Sequence, residues 1–445
     1  MEMPKKEQIV KVVRRDYPVI IMELLYNGYD APEYFKDFSK EELYVRWAAI
    51  WCSNIYQYEN EVDLQGKITL ESWTDPEIFE KAKLELLKRE KELLETKDKD
   101  FLTFCTAFER YSPAIIVAWA MENRLAKKVK EIITKHFASE EVEEIMNIIN
   151  IPEKDNYFKQ EMYDLVLTDN LLEHVKKYEW ITSRYGKRLS YTLDNAQNNL
   201  SEINKEKYLE NYNQEKENLR KILNLLKEKL TEEEYHFIKI MQFIVYYRTH
   251  RTDIMNKSIY QYIPKFEQLA KEREVTYQQL VNCTKKEILN QLPSKEEMDQ
   301  RIKHYALILD ERKLTLYSKK EEIEKIKDSL EPEIKQVNEF KGEIACKGKV
   351  VGKVKLIFDY NDFEKVNDKD ILVTSMTTPN MIQIMKKAAA FVTEEGGITC
   401  HAAIISREMK TPCIIGTKIA TKVLKDNDLI EVDANSGTIK ILNSS

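Results

Sequence analysis

The sequence predicts a multidomain α and α/β protein, with a large N-terminal helical domain followed by a compact β/α domain. Three observations carry that expectation. Of the ten glycines, seven stand at 342, 348, 352, 396, 397, 416 and 437, and only Gly28, Gly66 and Gly186 serve the preceding 341 residues. A long stretch so poor in glycine has little material for tight strand turns and favours long helices. Apolar residues before Gly342 recur at helical spacing, and after it they gather into short β-branched runs.

In chain order, Pro76–Lys97 places Phe79, Ala82, Leu86 and Leu87 on one stripe, continued by Leu93 and Leu94, with charge covering the other face. Lys205–Lys229 repeats the style with Leu209, Leu219, Leu223 and Leu226. Tyr235–Tyr247 is apolar almost all round, as in a helix at the middle of a bundle. All five tryptophans precede residue 181. Residues 1–305 therefore read as the helical domain. Residues 306–341 read as a connector, with a strand or hairpin at Ile308–Tyr317 and a charged helix at Lys319–Leu330 that Pro332 ends. The hinge is expected near Glu331–Gly342. In residues 342–445 the expected strands are Val350–Ile357, Asp370–Ser375, Ala390–Thr393, Cys413–Ile415, Leu429–Val432 and Thr438–Ile441. Helices fit between them at Pro379–Lys387, His401–Glu408 and Ile419–Leu424.

Composition narrows the function classes. The 445 residues are 43% hydrophobic and 33% charged, as in a folded globular chain, and the net charge of -6 supplies no basic field for nucleic acid. The N-terminus carries charge but no apolar core of a signal peptide. The most apolar stretches, such as Pro113–Met121, fall far short of the roughly 18 residues a membrane span needs. The cysteines, Cys52, Cys105, Cys283, Cys346, Cys400 and Cys413, form no CxxC pair. That fits reduced thiols in a cytoplasmic protein and neither a disulfide framework nor a metal site.

The informative segment is TEEGGITCHAAIISREMKTPCIIG, Thr393–Gly416. A strand ends in Gly396-Gly397, and His401 follows at the mouth of an Ala-Ala-Ile-Ile helix. The glycines let backbone turn tightly and approach a ligand, and the N–H groups of a helix start suit a phosphate. Thr399 and Cys400 place a hydroxyl and a thiol beside the imidazole. A neutral imidazole nitrogen attacks phosphorus competently, and the phosphoramidate formed is reactive enough to pass the group onward. Against this stands the structural use of a single histidine beside an apolar helix; the Gly-Gly strand end and the helix start favour chemistry.

GGITCHAAIISREMKTPCIIG closely resembles the phosphohistidine signature of the phosphoenolpyruvate-utilising enzymes, among them phosphoenolpyruvate synthase, pyruvate phosphate dikinase and rifampicin phosphotransferase. DILVTSMTTPNMIQIMKKAAAFVTEEGG resembles the preceding strand, threonine-proline turn and helix, GEIACKGKVVGKV the entry strands and DLIEVDANSGTIKIL the exit. The resemblance covers residues 340–442 and implies a swivelling domain whose phosphocarrier is His401. It also implies that Thr377 and Thr378 lie near the phosphohistidine, with helix capping before Pro379 as their structural alternative. Arg407 matches the family's arginine, but six residues along a helix is about 240° round from His401, which suits packing or docking. Lys410, Asn427 and Ala434 stand where the family often has glycine.

The residues before Gly342 offer no glycine-rich nucleotide-binding segment, so no ATP-grasp domain is expected there, and no phosphoenolpyruvate-binding barrel with parallel-strand spacing is expected either. The resemblance then implies no cofactor on this chain and Mg-ATP on a separate ATP-grasp partner. His401 would receive its phosphoryl group there and pass it to a small-molecule acceptor at the helical domain, as a phosphotransferase. An alternative is a non-catalytic phosphocarrier or regulatory binding protein. A donor like enzyme I of the sugar phosphotransferase system fits less well, because there the helical part is inserted into the His domain. Within Tyr246–Lys257, Arg248 and Arg251 share a helix face and are the candidate anion or acceptor ligands. Pairing with acidic neighbours is their structural alternative.

Overall fold

The computed structural model describes the chain apart from residues 1–8, 15–16, 52–53, 184–185, 187–189, 331–336, 359, 378–380, 398–399 and 444–445. It divides into two compact units, Met1–Leu330 and Glu331–Ser445.

The first unit is built on helices. Its longest, Glu232–Glu272, spans 41 residues and starts from a capping box between Thr231 and Glu234. Residues on every side of it are buried, as the largely apolar run at 235–247 predicts. Around it pack Trp73 and Phe79, with ring centroids 5.2 Å apart, and Phe104, stacked on Tyr262 at 4.0 Å. Helices form at Pro76–Leu94 and Lys205–Lys229, where the periodicity places them. Gly28 and Gly66 serve helix contacts here instead of turns. A Cβ at Gly28 would stand 2.2 Å from the Glu109 carbonyl oxygen, and one at Gly66 would stand 2.1 Å from that of Ala120.

This unit also holds a sheet that the helical reading lacks. Strands β1 (Ile9–Arg14), β2 (Trp47–Trp51), β3 (Asn54–Tyr58), β4 (Ala306–Asp310) and β5 (Lys313–Tyr317) run in the order β1-β3-β2-β4-β5, all antiparallel. The connector expected over 306–341 is corrected accordingly. Its hairpin is β4–β5, and Ala306–Asp310 pairs along its whole length with Trp47–Trp51. Its helix, Lys320–Leu330, lays Ile323, Ile326 and Leu330 on the face formed by Trp47, Ala49, Trp51 and Ile308. Leu307 and Leu309 face the helical core from the other side. The expected hinge falls partly at 331–336, outside the described residues, while Glu339–Lys341 is already a strand of the second unit.

The second unit is an eight-stranded sheet. Strands β6 (Glu339–Lys341), β7 (Glu343–Cys346), β8 (Lys349–Ile357), β9 (Ile371–Thr374), β10 (Ala390–Thr393), β11 (Cys413–Ile415), β12 (Leu429–Asp433) and β13 (Thr438–Asn443) lie in the order β6-β13-β12-β8-β9-β10-β11-β7. β6 and β7 are separated in sequence by Gly342 alone, yet they pair with opposite ends of that order, β13 and β11. Gly342 is obligatory there, since a Cβ would meet Ile414 Cγ2 and the Ile415 carbonyl oxygen at 2.6 Å. Strands β8 to β11 run parallel and β9 to β11 are buried on both faces. Ile371, Val373, Val392 and Ile414 face one apolar layer with Ile430 and Val432. Leu372, Phe391, Cys413 and Ile415 face the other, beneath Ala402 and Ala403 of the helix His401–Met409.

Candidate functional site

The carboxyl ends of β9, β10 and β11 meet at one edge, where ligands of open α/β sheets bind. Thr374 and Thr393 are register partners at the ends of β9 and β10. Beyond them the chains stay paired, with the Glu394 N–H donating to the Thr374 carbonyl at 3.1 Å and the Glu395 N–H to that of Ser375 at 2.9 Å. From β11, the Thr417 hydroxyl donates to the Thr393 carbonyl at 2.9 Å. Three strand ends are thereby locked together beneath the Gly-Gly turn.

That turn requires glycine at one of its two positions. Gly396 sits at φ +112°, and a Cβ there would stand 2.7 Å from Cys400 Sγ. A Cβ at Gly397 would meet nothing within 4 Å, so the second glycine borders open space. Cys400 then occupies the N-cap of the helix His401–Met409, with its own N–H bonded to the Gly397 carbonyl at 2.9 Å. Its side chain makes no cap bond among the described residues. His401 is the first residue of this helix. Ala402 and Ala403 are buried against β11, fixing its height on the sheet. Arg407 donates to the Ala345 carbonyl of β7 at 3.1 Å, the packing contact its place on the far side of the helix suggests.

Gly396, Gly397 and Cys400 are thus brought to the start of the helix that His401 opens. Thr377 is buried just past the end of β9. Thr378 and Thr399 lie outside the described residues. The sequence reading passed over two acidic residues at this edge. Glu394, 3% exposed, accepts from the Thr421 N–H at 2.9 Å and from its hydroxyl. Glu395 accepts from the Ser375 hydroxyl at 2.8 Å. Their signal was the EEGG string itself, where carboxylates directly before a turning glycine pair brace neighbouring loops.

The family's glycine positions also find an account. Lys410 ends the helix in the left-handed conformation at φ +53°, and Asn427 turns at φ +73°, so both adopt the backbone that favours glycine. Ala434 is fully buried and needs no such conformation.

The candidate anion ligands Arg248 and Arg251 both have partners within the first unit. Arg248 pairs with Glu122 at 2.6 Å. Arg251 is 6% exposed and donates to the backbone carbonyls of Ile115, at 3.1 Å, and Arg248. Burial among helices demands such partners for a guanidinium, and backbone supplies them. In the same stretch, His250 bonds Glu90 at 2.9 Å and stacks between Tyr157 and Tyr246. Among the described residues, no group of three or more His, Cys, Asp or Glu is placed to hold a metal ion. No helix among them is long and apolar enough to cross a membrane.

Comparison with known proteins gives the second unit its relatives. A "Probable phosphoenolpyruvate synthase" of Archaeoglobus fulgidus is 50% identical over 121 residues, 27% of this chain and 16% of that protein. The "Phosphoenolpyruvate synthase" of Pyrococcus furiosus is 52% identical over 99 residues, 22% of this chain and 12% of that protein. A Bacillus subtilis protein named "Uncharacterized phosphotransferase YvkC" is 41% identical over 116 residues, 26% of this chain and 14% of that protein. The chain therefore spans under a fifth of the length of these relatives. Residues 366–437 match the family described as "PEP-utilising enzyme, mobile domain". The second unit of this chain thus contains a segment, residues 366–437, similar to the mobile domain of the phosphoenolpyruvate-utilising enzymes.

Proposed function

We propose that this chain is a phosphotransferase component that carries a phosphoryl group on His401. A separate ATP-grasp protein holding Mg-ATP loads the histidine. The imidazole nitrogen attacks phosphorus, an N–P bond forms, and the P–O bond to the nucleotide breaks. The chain's own contribution is positional: a helix start, an open glycine turn and a three-strand floor stabilise charge and hold the acceptor nitrogen in line. The observation that carries the reading is His401 at the start of that helix within the segment matching the mobile-domain family. In the fullest form of the proposal the group then passes to a small-molecule acceptor at the helical unit.

A second reading draws support from the bonds that Arg248 and Arg251 make within the helical unit, which occupy guanidinium groups that the first reading assigns to an anion. In it the group leaves to another protein, and the phosphorylation state governs binding. Metabolite screening against the phosphorylated chain separates the two. Acceptor-dependent loss of phosphate without added protein supports transfer to a small molecule, and loss only in a protein complex supports the carrier.

A further inference from the structure

Three of the described cysteines share one apolar layer of the second unit. Cys413 lies fully buried within it, and Cys346 and Cys400 are half-buried against it. Two of them have a specific relation that their spacing in sequence conceals. Cys346, at the end of β7, and Cys413, at the start of β11, are partners in the antiparallel pairing, at the point where the register shifts between Cys413 and Ile414. Opposed residues of a regular antiparallel ladder have Cα atoms about 4.5 or 5.5 Å apart, and here both side chains pack on the same apolar layer. Both separations fall inside the range of about 4.4–6.8 Å that a disulfide spans. The pair is held there from outside the ladder as well. Gly348, at φ +145°, lies so near Pro412 that a Cβ would stand 2.6 Å from its Cγ.

We infer that Cys346 and Cys413 form a reversible thiol–disulfide site, closed by a hydroperoxide and opened by a thiol reductant. The two sulfurs differ in access. Cys413 is fully buried, which keeps it out of reach of an oxidant from solvent. Cys346 lies on β7, last in the strand order, and its sulfur contacts the Lys347 carbonyl at 3.9 Å on the exposed side. Cys346 therefore meets the peroxide. Its sulfur takes one oxygen to become the sulfenic acid while the O–O bond breaks and an alcohol or water leaves. Cys413 sulfur then attacks the Cys346 sulfur, the S–S bond forms, and the S–O bond breaks. Water departs with the Cys413 proton. Two electrons pass from the thiols to the peroxide.

The site lies under the phosphohistidine helix. Cys413 Sγ lies 4.0 Å from the Ala402 carbonyl, and Arg407 ties the same helix to Ala345, next to Cys346. Closing the disulfide staples the two strands that seat this helix, whether or not His401 accepts a phosphoryl group.

The test treats the reduced full chain with stoichiometric hydrogen peroxide, alkylates it in denaturant, and maps the peptides by mass spectrometry. Expected are the loss of two hydrogens from the intact mass, joined peptides containing Cys346 and Cys413, and reversal by dithiothreitol. The link persists in Cys400→Ser and in His401→Ala and is lost in Cys346→Ser. Alkylation of both Cys346 and Cys413 after peroxide has oxidised Cys400, or a link made through Cys400 instead, overturns the inference. The wild-type map decides this alone, and the His401→Ala background separates it from any failure of the phosphocarrier reading.

Discussion

Gly396 shows how one residue holds the candidate site together. Its φ of +112° and the 2.7 Å separation from Cys400 Sγ mean that any side chain both strains the backbone and displaces the thiol at the helix cap. Gly396→Ala is therefore expected to cost about 1–3 kcal/mol in denaturant unfolding. It should also reduce phosphoryl loading of His401. Gly397→Ala, facing open space, should leave stability within about 0.5 kcal/mol of wild type. Lys410 offers the opposite change. It pays the left-handed penalty at φ +53°, so Lys410→Gly should stabilise the protein by about 1 kcal/mol, read as a raised unfolding midpoint. At this scale the site was largely legible, because glycines, a histidine and a helix start form a local string. Glu394 and Glu395 were not, since their partners Thr421 and Ser375 come from other loops. The partners of Arg248 and Arg251 were not legible either, because Glu122 and the Ile115 carbonyl lie more than a hundred residues away.

Among the elements, the β4–β5 hairpin turns through Glu311 and Arg312 at φ +42° and +69°, a two-residue loop with both residues left-handed and no glycine. Arg312→Gly should stabilise it by about 1 kcal/mol, measurable in denaturant unfolding. The absence of glycine also explains why Ile308–Tyr317 was legible only as a strand or hairpin. β2 was harder still. WAAIW is buried at every position, between the helical core and the helix Lys320–Leu330, so it lacks the alternation that marks a half-exposed strand. Its long-range partner, β4, follows some 250 residues later and leaves no local trace.

Helix packing carries a pH dependence. Burial is the main cause that raises the Glu23 carboxyl from 4.5 to about 7, opposed by the Lys285 N–H that it accepts at 2.5 Å. The neutral form is favoured on folding, so its contribution is complete below about 4.5 and is lost as pH rises through about 7. Wild-type stability should carry that decline, and Glu23→Gln should flatten it; equal slopes in the two proteins would remove Glu23 as its source.

For the whole molecule, the division at Leu330 and Glu331 carries a prediction of its own. Every strand of the second sheet lies between Glu339 and Asn443, and both of its apolar layers close within residues 337–441. The fragment 331–445 should fold alone with a single cooperative transition and dispersed amide resonances. A molten or aggregated fragment would show that the unit needs the first one. The two-part architecture was legible from glycine usage, because turns consume glycine and helices do not. The sheet within the helical unit was not, because its strands are split between residues 9–58 and 306–317.

The central claim is that His401 carries a phosphoryl group, and one measurement reaches it most directly. Wild type and His401→Ala are incubated with β- and γ-labelled ATP and a candidate ATP-grasp partner, and acid-labile, base-stable label is sought on this chain. The proposal predicts label on wild type only, and only with the partner present. Label retained by His401→Ala, or none on wild type with any donor, phosphoenolpyruvate included, would contradict it and leave a domain kept for binding.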